Sequence, residues 1–229
     1  MTIALLGAGA LGSVLAARLV QGGAEVVLIA DGARAKRLRR GLRVVGLTQF
    51  HEALAVQSTP EGCDWLLLCT KSWQLEPLLP RLKAWCVPVV ACQNGLLAVD
   101  ALADALGAGN VAGFVTGLGA ARRPDGSVLH AGDGYAVLGA AVGAPTAALR
   151  RLRNAFAAGG IEATLTSDLQ SELWLKAIAN NAINPVAALA GVPNGALRKG
   201  ALRERARAAC REGTAVAATL EIALPGDAW

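Results

Sequence analysis

Two histidines, His51 and His130, are all that this 229-residue chain contains. A histidine-based triad or metal site therefore has little to build on, and both are read as surface or structural residues. No metal is expected. The five cysteines, at 63, 69, 86, 92 and 210, are odd in number and form no CxxC or zinc-type spacing. That pattern fits a reducing cytoplasm better than a disulfide framework. Charged residues are only 17% of the chain and hydrophobic ones 54%, which marks a core-forming chain and not a disordered one. Long uninterrupted apolar runs are missing too. Residues 1–20 are apolar, but they lack a basic start, glycines at 7, 9 and 12 break the run, and Arg18 follows. No targeting or membrane-spanning segment is expected. Internal repeats and low-complexity linkers are also absent.

The net charge is +5, and much of it lies in RAKRLRRGLR (34–43), with a second basic run from Arg198 to Arg211. These are either two solvated helix faces or the mark of an anionic partner. No aromatic residue is interleaved with either run, which argues against single-strand stacking. Neither nucleic acid nor a membrane is expected as a partner.

Short apolar runs alternate with helical patterns through roughly the first 165 residues. TIALL (2–6), EVVLIAD (25–31), DWLLLCTK (64–71), VPVVACQNG (87–95) and NVAGFV (110–115) read as strands. LGSVLAARLVQGG (11–23) reads as a helix closed by glycines, and a basic helix follows the second strand. Continuous apolar strands separated by helices imply a doubly wound parallel sheet covered on both faces, a Rossmann-type α/β unit. SVLHAGDGYAVLGA (127–140) alternates with glycine-rich turns, as an antiparallel appendage would. After Ala163 the strand pattern stops. Thr166-Ser167-Asp168 offers an N-cap, and helices follow to near the end. The expected organisation is a dinucleotide-binding domain over 1–166 and an all-α substrate domain over 167–229.

Gly7-Ala8-Gly9-Ala10-Leu11-Gly12 is a GxGxxG set between a strand and an apolar helix. The first glycine permits the tight turn, the second admits a pyrophosphate to the backbone, and the third lets helix and strand pack. The helix N-terminus adds N–H donors and a positive dipole end. Asp31 ends the second strand, 19 residues after Gly12, where an acid bonds ribose hydroxyls and favours NAD. Arg34, Lys36 and Arg37 follow at once and could hold a 2′-phosphate instead. Asp31 could also be a plain helix cap. At two other strand ends stand Thr70-Lys71-Ser72-Trp73-Gln74 and Gln93-Asn94-Gly95. Ligands of open α/β sheets bind at such ends. Lys71 can pair with a phosphate or carboxylate, and Asn94 can donate and accept at once.

Lys176, Asn180 and Asn184 recur every four residues in ELWLKAIANNAINP (172–185), so they share one helix face. Leu173, Leu175, Ile178, Ala179, Ala182 and Ile183 surround them. A lysine desolvated by an apolar wall has a lowered pKa and can serve as a general acid. The two amides would orient a substrate without competing for the proton. Pro185 removes an N–H, so a bend or pause is expected there. A turn at Val192-Pro193-Asn194-Gly195 could return Asn194 to the same place.

The chain resembles ketopantoate reductase at GAGALGS (7–13), CTKSWQ (69–74), QNG (93–95), AARRPDGSVLHAG (120–132), ELWLKAIANNAINP (172–185) and PNG (193–195). The resemblance implies reduction of a 2-keto acid to its 2-hydroxy acid in pantothenate and coenzyme A synthesis. It implies Lys176 as proton donor and Asn94, Asn180, Asn184 and Asn194 as substrate-binding residues. It implies cofactor contacts from Lys71, Asn94 and Ala121, which join those expected of Gly7, Ala8, Gly9, Ala10, Leu11, Gly12, Asp31 and Gln74. The cofactor is NADP(H) by resemblance, although family members often carry arginine where Asp31 stands, and Asp31 itself favours NAD(H). Further helices are expected by resemblance beyond Trp229, so the chain reads as C-terminally short, and either homodimeric or weakened. The alternatives are a reductase of another branched 2-keto acid and a dinucleotide-binding regulator without turnover.

Overall fold

The computed structural model describes residues 1–228. The chain divides into two compact units, Met1–Ser167 and Asp168–Trp229. The first unit begins with β1 (Thr2–Leu6), α1 (Ala10–Gln21), β2 (Glu25–Ile29) and α2 (Gly32–Leu38). Three short strands follow, β3 (Leu42–Gly46), β4 (Phe50–Glu52) and β5 (Ala55–Gln57). Next come β6 (Trp65–Leu68), α3 (Leu79–Trp85), β7 (Val89–Ala91), α4 (Leu97–Leu106) and β8 (Val111–Thr116). The unit closes with β9 (Gly119–Arg122), β10 (Val128–Gly132), β11 (Ala136–Ala140), α5 (Ala147–Ala158) and β12 (Ala163–Thr166).

The main sheet has the order β12-β11-β8-β7-β6-β1-β2-β5. From β5 to β8 the strands run parallel, and β11 pairs antiparallel with β8. The strand order reverses between β1 and β6, which is where a doubly wound sheet opens a ligand crevice. Central strands are buried throughout, as their unbroken Leu, Val and Ile runs require: Trp65, Leu66, Leu67 and Leu68 of β6 are all buried.

A second sheet, β4-β3-β10-β9, packs against α1 through β3, β9 and β10. α1 therefore has cover on more than one side, and Gly12 through Ala17 are all buried. A helix apolar around its whole circumference is stable only in that setting. Burying Leu15 and Leu19 completely stabilises the unit by about 1.5–3 kcal/mol each.

Two expectations from the sequence are corrected. The segment 127–140 is not an appendage: β10 belongs to the second sheet and β11 to the main one. The chain crosses at Gly132-Asp133-Gly134, and a side chain at Gly134 would overlap the Gly117 backbone. The basic run 34–43 is not one helix either. α2 stops at Leu38, Gly41 takes φ +116°, and Arg43 lies in β3. His51 is exposed on β4, whereas His130 is fully buried. Its Nδ1 lies 2.8 Å from Thr48 Oγ1. Burial pushes its pKa down, against the pull of Asp133. Asp133 Oδ1 lies 3.3 Å from both His130 Nε2 and Arg18 Nη2, so this histidine has a structural setting.

The second unit holds α6 (Leu169–Ala190) and α7 (Gly200–Thr219), joined through a 3-10 turn at Asn194–Arg198. Ile178 and Ala182 pack with Cys210 and Ala217; Ala187 packs with Leu197 and Ala206. Small residues dominate the seam, and at Gly213 an added Cβ would lie 3.1 Å from Ile178. α6 ends where Gly191 takes the left-handed conformation. The pause expected at Pro185 is absent, and the helix continues to Ala190. Asn181, whose carbonyl loses its usual donor, is exposed, so water can reach it. No helix among the described residues is long and apolar enough to cross a membrane.

Asp168 caps α6, its Oδ1 accepting from the Ser171 N–H at 3.1 Å and its Oδ2 from the Ser171 hydroxyl at 2.6 Å. Those bonds hold its carboxyl below the usual carboxylate range. Asp168→Ala should cost about 1 kcal/mol in chemical denaturation at neutral pH, and Asp168→Asn much less. Because the folded pKa is depressed, the stabilisation is present above about pH 4 and lost as pH falls through the folded value. A cost that persists unchanged at pH 3 would contradict this assignment.

Candidate functional site

The loop between β1 and α1 is built around three glycines with different surroundings. Gly7 has φ +105°, and a Cβ there would lie 2.6 Å from both the Cys69 carbonyl carbon and the Thr70 nitrogen. Only glycine fits that turn. A Cβ at Gly12 would overlap the Gly7 carbonyl and meet Leu5 Cδ2 at 3.1 Å. Gly9 is the opposite case: the Gly7 oxygen, at 3.7 Å, is its sole neighbour within 4 Å. Space stands open where the second glycine admits a pyrophosphate. α1 starts there with no side-chain cap and no acid in its first turn. The N–H groups of Ala10, Leu11 and Gly12 have no partner inside the helix and suit an anion. Ala8 and Ala10 keep the approach narrow in side-chain bulk. This donor set fits the phosphates of a dinucleotide.

Asp31 occupies the N-cap position of α2, but its side chain makes no capping bond. Its Oδ2 accepts instead from Arg81 Nη2 at 2.9 Å. Arg81 comes from α3, sits 4.9 Å over the Trp85 ring, and also reaches the Ser58 carbonyl at 3.4 Å. On the other side, Arg122 Nη2 donates to the Ala8 carbonyl at 3.1 Å, which ties β9 to the phosphate loop. Ala121, the neighbouring residue of β9, is exposed beside it. Burial, with the charges of Arg37 and Arg122, holds the Arg34 pKa below its ordinary value. No ion pair joins Arg34, Arg37 or Arg122 to a carboxylate among the described residues.

At the ends of β6 and β7 the two polar clusters face one another. Gln74 Oε1 accepts from the Lys71 N–H at 3.0 Å, so that oxygen is already engaged, while the Lys71 side chain is exposed. Gln93 is buried, and its Nε2 donates to Thr70 Oγ1 at 3.2 Å. Its Oε1 has no partner. A buried acceptor without a donor costs about 1–3 kcal/mol, which a ligand hydroxyl or amide would offset. Asn94 is exposed and lines an open cavity of about 570 Å³ with Trp73, Leu75, Leu79, Leu97 and Ala101. Trp73 is 74% exposed and Leu97 80%, an apolar surface unusual for two such large side chains.

In the second unit α6 carries Glu172, Lys176, Asn180 and Asn184 at four-residue intervals. Successive members lie about 40° apart around the helix, so they form one polar stripe. Burial pushes the Lys176 ammonium down, the direction a general acid needs. Burial, then the charge of Asp168, raises Glu172. Asn180 is half-buried, Asn184 is exposed, and Asn194 opens the 3-10 turn after α6, also exposed.

The first unit thus gathers Gly7 to Gly12, Asp31, Lys71, Gln74 and Asn94 at the carboxyl ends of β1, β2, β6 and β7, with Ala121 on β9. Lys176, Asn180 and Asn184 share α6 in the second unit. Two residues at these ends escape a reading of the sequence, Arg81 and Arg122, whereas Gln93 stands in the cluster already singled out. Arg122 lies inside the AARRPDG stretch, so it had a local signal. Arg81 had none, being 50 residues from Asp31.

Two family models match, described as ketopantoate reductase PanE/ApbA over residues 3–143 and ketopantoate reductase PanE/ApbA C terminal over 168–229. The chain is 33% identical over 220 residues to a 2-dehydropantoate 2-reductase of Archaeoglobus fulgidus, covering 95% of this chain and 74% of that one. It is 35% identical over 209 residues to that of Halobacterium salinarum, covering 86% and 68%. Among solved structures, a PanE/ApbA family ketopantoate reductase from Ralstonia eutropha JMP134 aligns with TM-score 0.83 at 30% identity, over 100% of this chain and 78% of that one. D-mandelate dehydrogenase, solved with NADH and anilino(oxo)acetate, aligns at 0.87 and 24% identity over 98% and 76%, a likeness of fold.

The contrast between two glycines tests the loop. Gly12→Ala should destabilise the ligand-free protein, because the Cβ strikes backbone that cannot yield. Gly9→Ala should leave the melting temperature nearly unchanged while raising the dinucleotide Kd by about ten-fold, the worth of one charge-assisted phosphate contact. Equal effects of the two changes on the free protein would refute the roles given to these glycines.

Proposed function

The chain belongs to the ketopantoate reductase family of oxidoreductases, and we propose that it reduces 2-dehydropantoate to pantoate with a reduced nicotinamide dinucleotide. The observation that carries this reading is the desolvated Lys176 in line with Asn180 and Asn184 on α6. A nicotinamide, when bound, supplies the hydride to the keto carbon. Lys176 supplies the proton to the keto oxygen, so that a hydroxyl results. Asn180, Asn184 and Asn194 hold the substrate's oxygens through their amides. Asn94 donates to the substrate and accepts from a ribose hydroxyl at the end of β7. Gly7, Ala8, Gly9, Ala10, Leu11 and Gly12 hold the pyrophosphate, and Asp31, Lys71, Gln74 and Ala121 flank the rest of the cofactor. Amides suit the substrate role because they bond both hydroxyl and carboxylate without changing charge. In this reading the enzyme acts on a small 2-keto acid in the cytoplasm, as a homodimer, within pantothenate synthesis.

A second reading, reduction of another branched 2-keto acid, draws on the cavity of about 570 Å³ at Asn94 and its exposed Trp73 and Leu97. The order of kcat/KM across 2-keto acids of increasing apolar bulk separates the two. Tight dinucleotide binding with no turnover of any of them would favour a regulator.

Lys176 is a donor only while protonated. Its pKa is lowered, so the reduction rate should fall as pH rises, with a midpoint below the 10.5 of a free lysine. Lys176→Ala should cut kcat by about 10²–10⁴-fold with little change in dinucleotide Kd. Turnover that survives Lys176→Ala would sink this mechanism.

A further inference from the structure

Cys69 and Cys92 each stand one residue beyond the end of a strand, and the two strands are neighbours. β6 and β7 pair in parallel with Leu68 beside Ala91, and the Cys92 N–H donates to the Leu68 carbonyl at 3.0 Å. The next step of that register sets Cys69 beside Cys92. Parallel neighbours lie about 4.8 Å apart, and residues opposite each other share a face. A disulfide spans Cα separations of about 4.4–6.8 Å, so the pair is within reach of one. Both side chains pack into the same core, and their thiols hydrogen-bond to each other. That contact, then burial, pushes the Cys92 thiol well above its ordinary pKa, which keeps it protonated. Cys92 is buried and Cys69 half-buried, so an oxidant meets Cys69 first.

Cys69 is also the wall on which the loop after β1 is seated. A Cβ at Gly7 would lie 2.6 Å from the Cys69 carbonyl carbon, and one at Gly12 would lie 3.0 Å from Cys69 Cβ. The contact has no slack on the loop side. Directly after the two cysteines, Gln93 Nε2 donates to Thr70 Oγ1 at 3.2 Å, and Lys71 and Asn94 follow. A covalent S–S bond of about 2.05 Å draws the two sulfurs closer than a hydrogen bond does. The strand ends that carry these residues move with them.

We propose that Cys69 and Cys92 are a modification site, a redox-responsive dithiol in which a hydroperoxide closes a disulfide and lowers the affinity of the adjoining loop for a dinucleotide. The hydroperoxide oxidises the Cys69 thiol to a sulfenic acid, and its O–O bond breaks to release an alcohol, or water from hydrogen peroxide. The Cys92 sulfur then attacks the Cys69 sulfur. The S–S bond forms, the S–O bond breaks, and the hydroxyl leaves with the Cys92 proton as water. Two thiols thus lose two electrons to the peroxide. A transient disulfide of this kind suits a compartment that otherwise keeps thiols reduced. Linkage requires that a bound dinucleotide oppose the disulfide by the factor with which the disulfide opposes binding. The effect on binding rests on the dinucleotide reading of the first unit; the disulfide itself does not.

The full chain, treated with hydrogen peroxide and alkylated without reduction, is mapped by mass spectrometry, and isothermal titration follows NADPH and NADH. A peptide pair joined through Cys69 and Cys92, lighter by two hydrogens, is expected, and dithiothreitol should remove it. The oxidised protein should bind the dinucleotide of the reduced form about ten-fold more weakly. Saturating dinucleotide should lower the disulfide yield. Cys63→Ser combined with Cys86→Ser should keep both effects. Cys92→Ala should lose both and leave a Cys69 sulfenic acid that dimedone traps. Thermal melts check that the variants fold, and the wild-type map stands without them. A different linkage, both thiols still alkylated after peroxide, or a joined pair with an unchanged dinucleotide Kd would overturn the proposal. If the reduced chain binds neither dinucleotide, the reading of the loop falls and takes the binding effect with it, while the peptide map still decides the disulfide.

Discussion

The turn at Gly7 presses the chain against the end of β6, and the rest of the first unit follows from that contact. A left-handed backbone against Cys69 and Thr70 leaves no room for a side chain. It brings β1 and β6 together at the point where the strand order reverses. It also aims α1 so that its N-terminal amides point out of the sheet's carboxyl edge. Gly12 then seats the first turn of α1 on the Gly7 carbonyl and Leu5. The crevice, the open space at Gly9 and the burial of α1 are three results of one close approach.

The main strands were legible because buried parallel strands are written as unbroken apolar runs, and TIALL and WLLL are such runs. The second sheet was not legible. β4 has three residues and β9 has four, too few for any period to emerge. β3 was hidden inside a basic run, because Arg43 faces solvent from a strand as readily as from a helix. The polar stripe on α6 was legible because a four-residue spacing survives into the helix unchanged. Pro185 brings no pause, since a helix tolerates a missing bond where solvent can satisfy the carbonyl left over.

Charge was the hardest property to read. The sequence places Asp31 next to Arg34, Lys36 and Arg37, which invites a local pairing. The carboxylate pairs instead with an arginine on α3, while Arg34 and Arg37 join no carboxylate among the described residues. Local order along a chain gives the sign and number of charges but not their partners, which depend on which loops meet at the sheet edge. The same holds for Gln93, whose lone oxygen matters only because β7 buries it beside Thr70.

The placement of α1 has a consequence for the chain as it leaves the ribosome. α1 is among the first elements made, yet its cover is made late. Of the elements that pack on it, β10 ends only at Gly132 and α5 only at Ala158. Throughout that interval an almost wholly apolar helix has no finished surface to rest on. Such exposure during synthesis invites sticking and chaperone capture. The nascent chain is thus most vulnerable in the segment that later becomes the most protected.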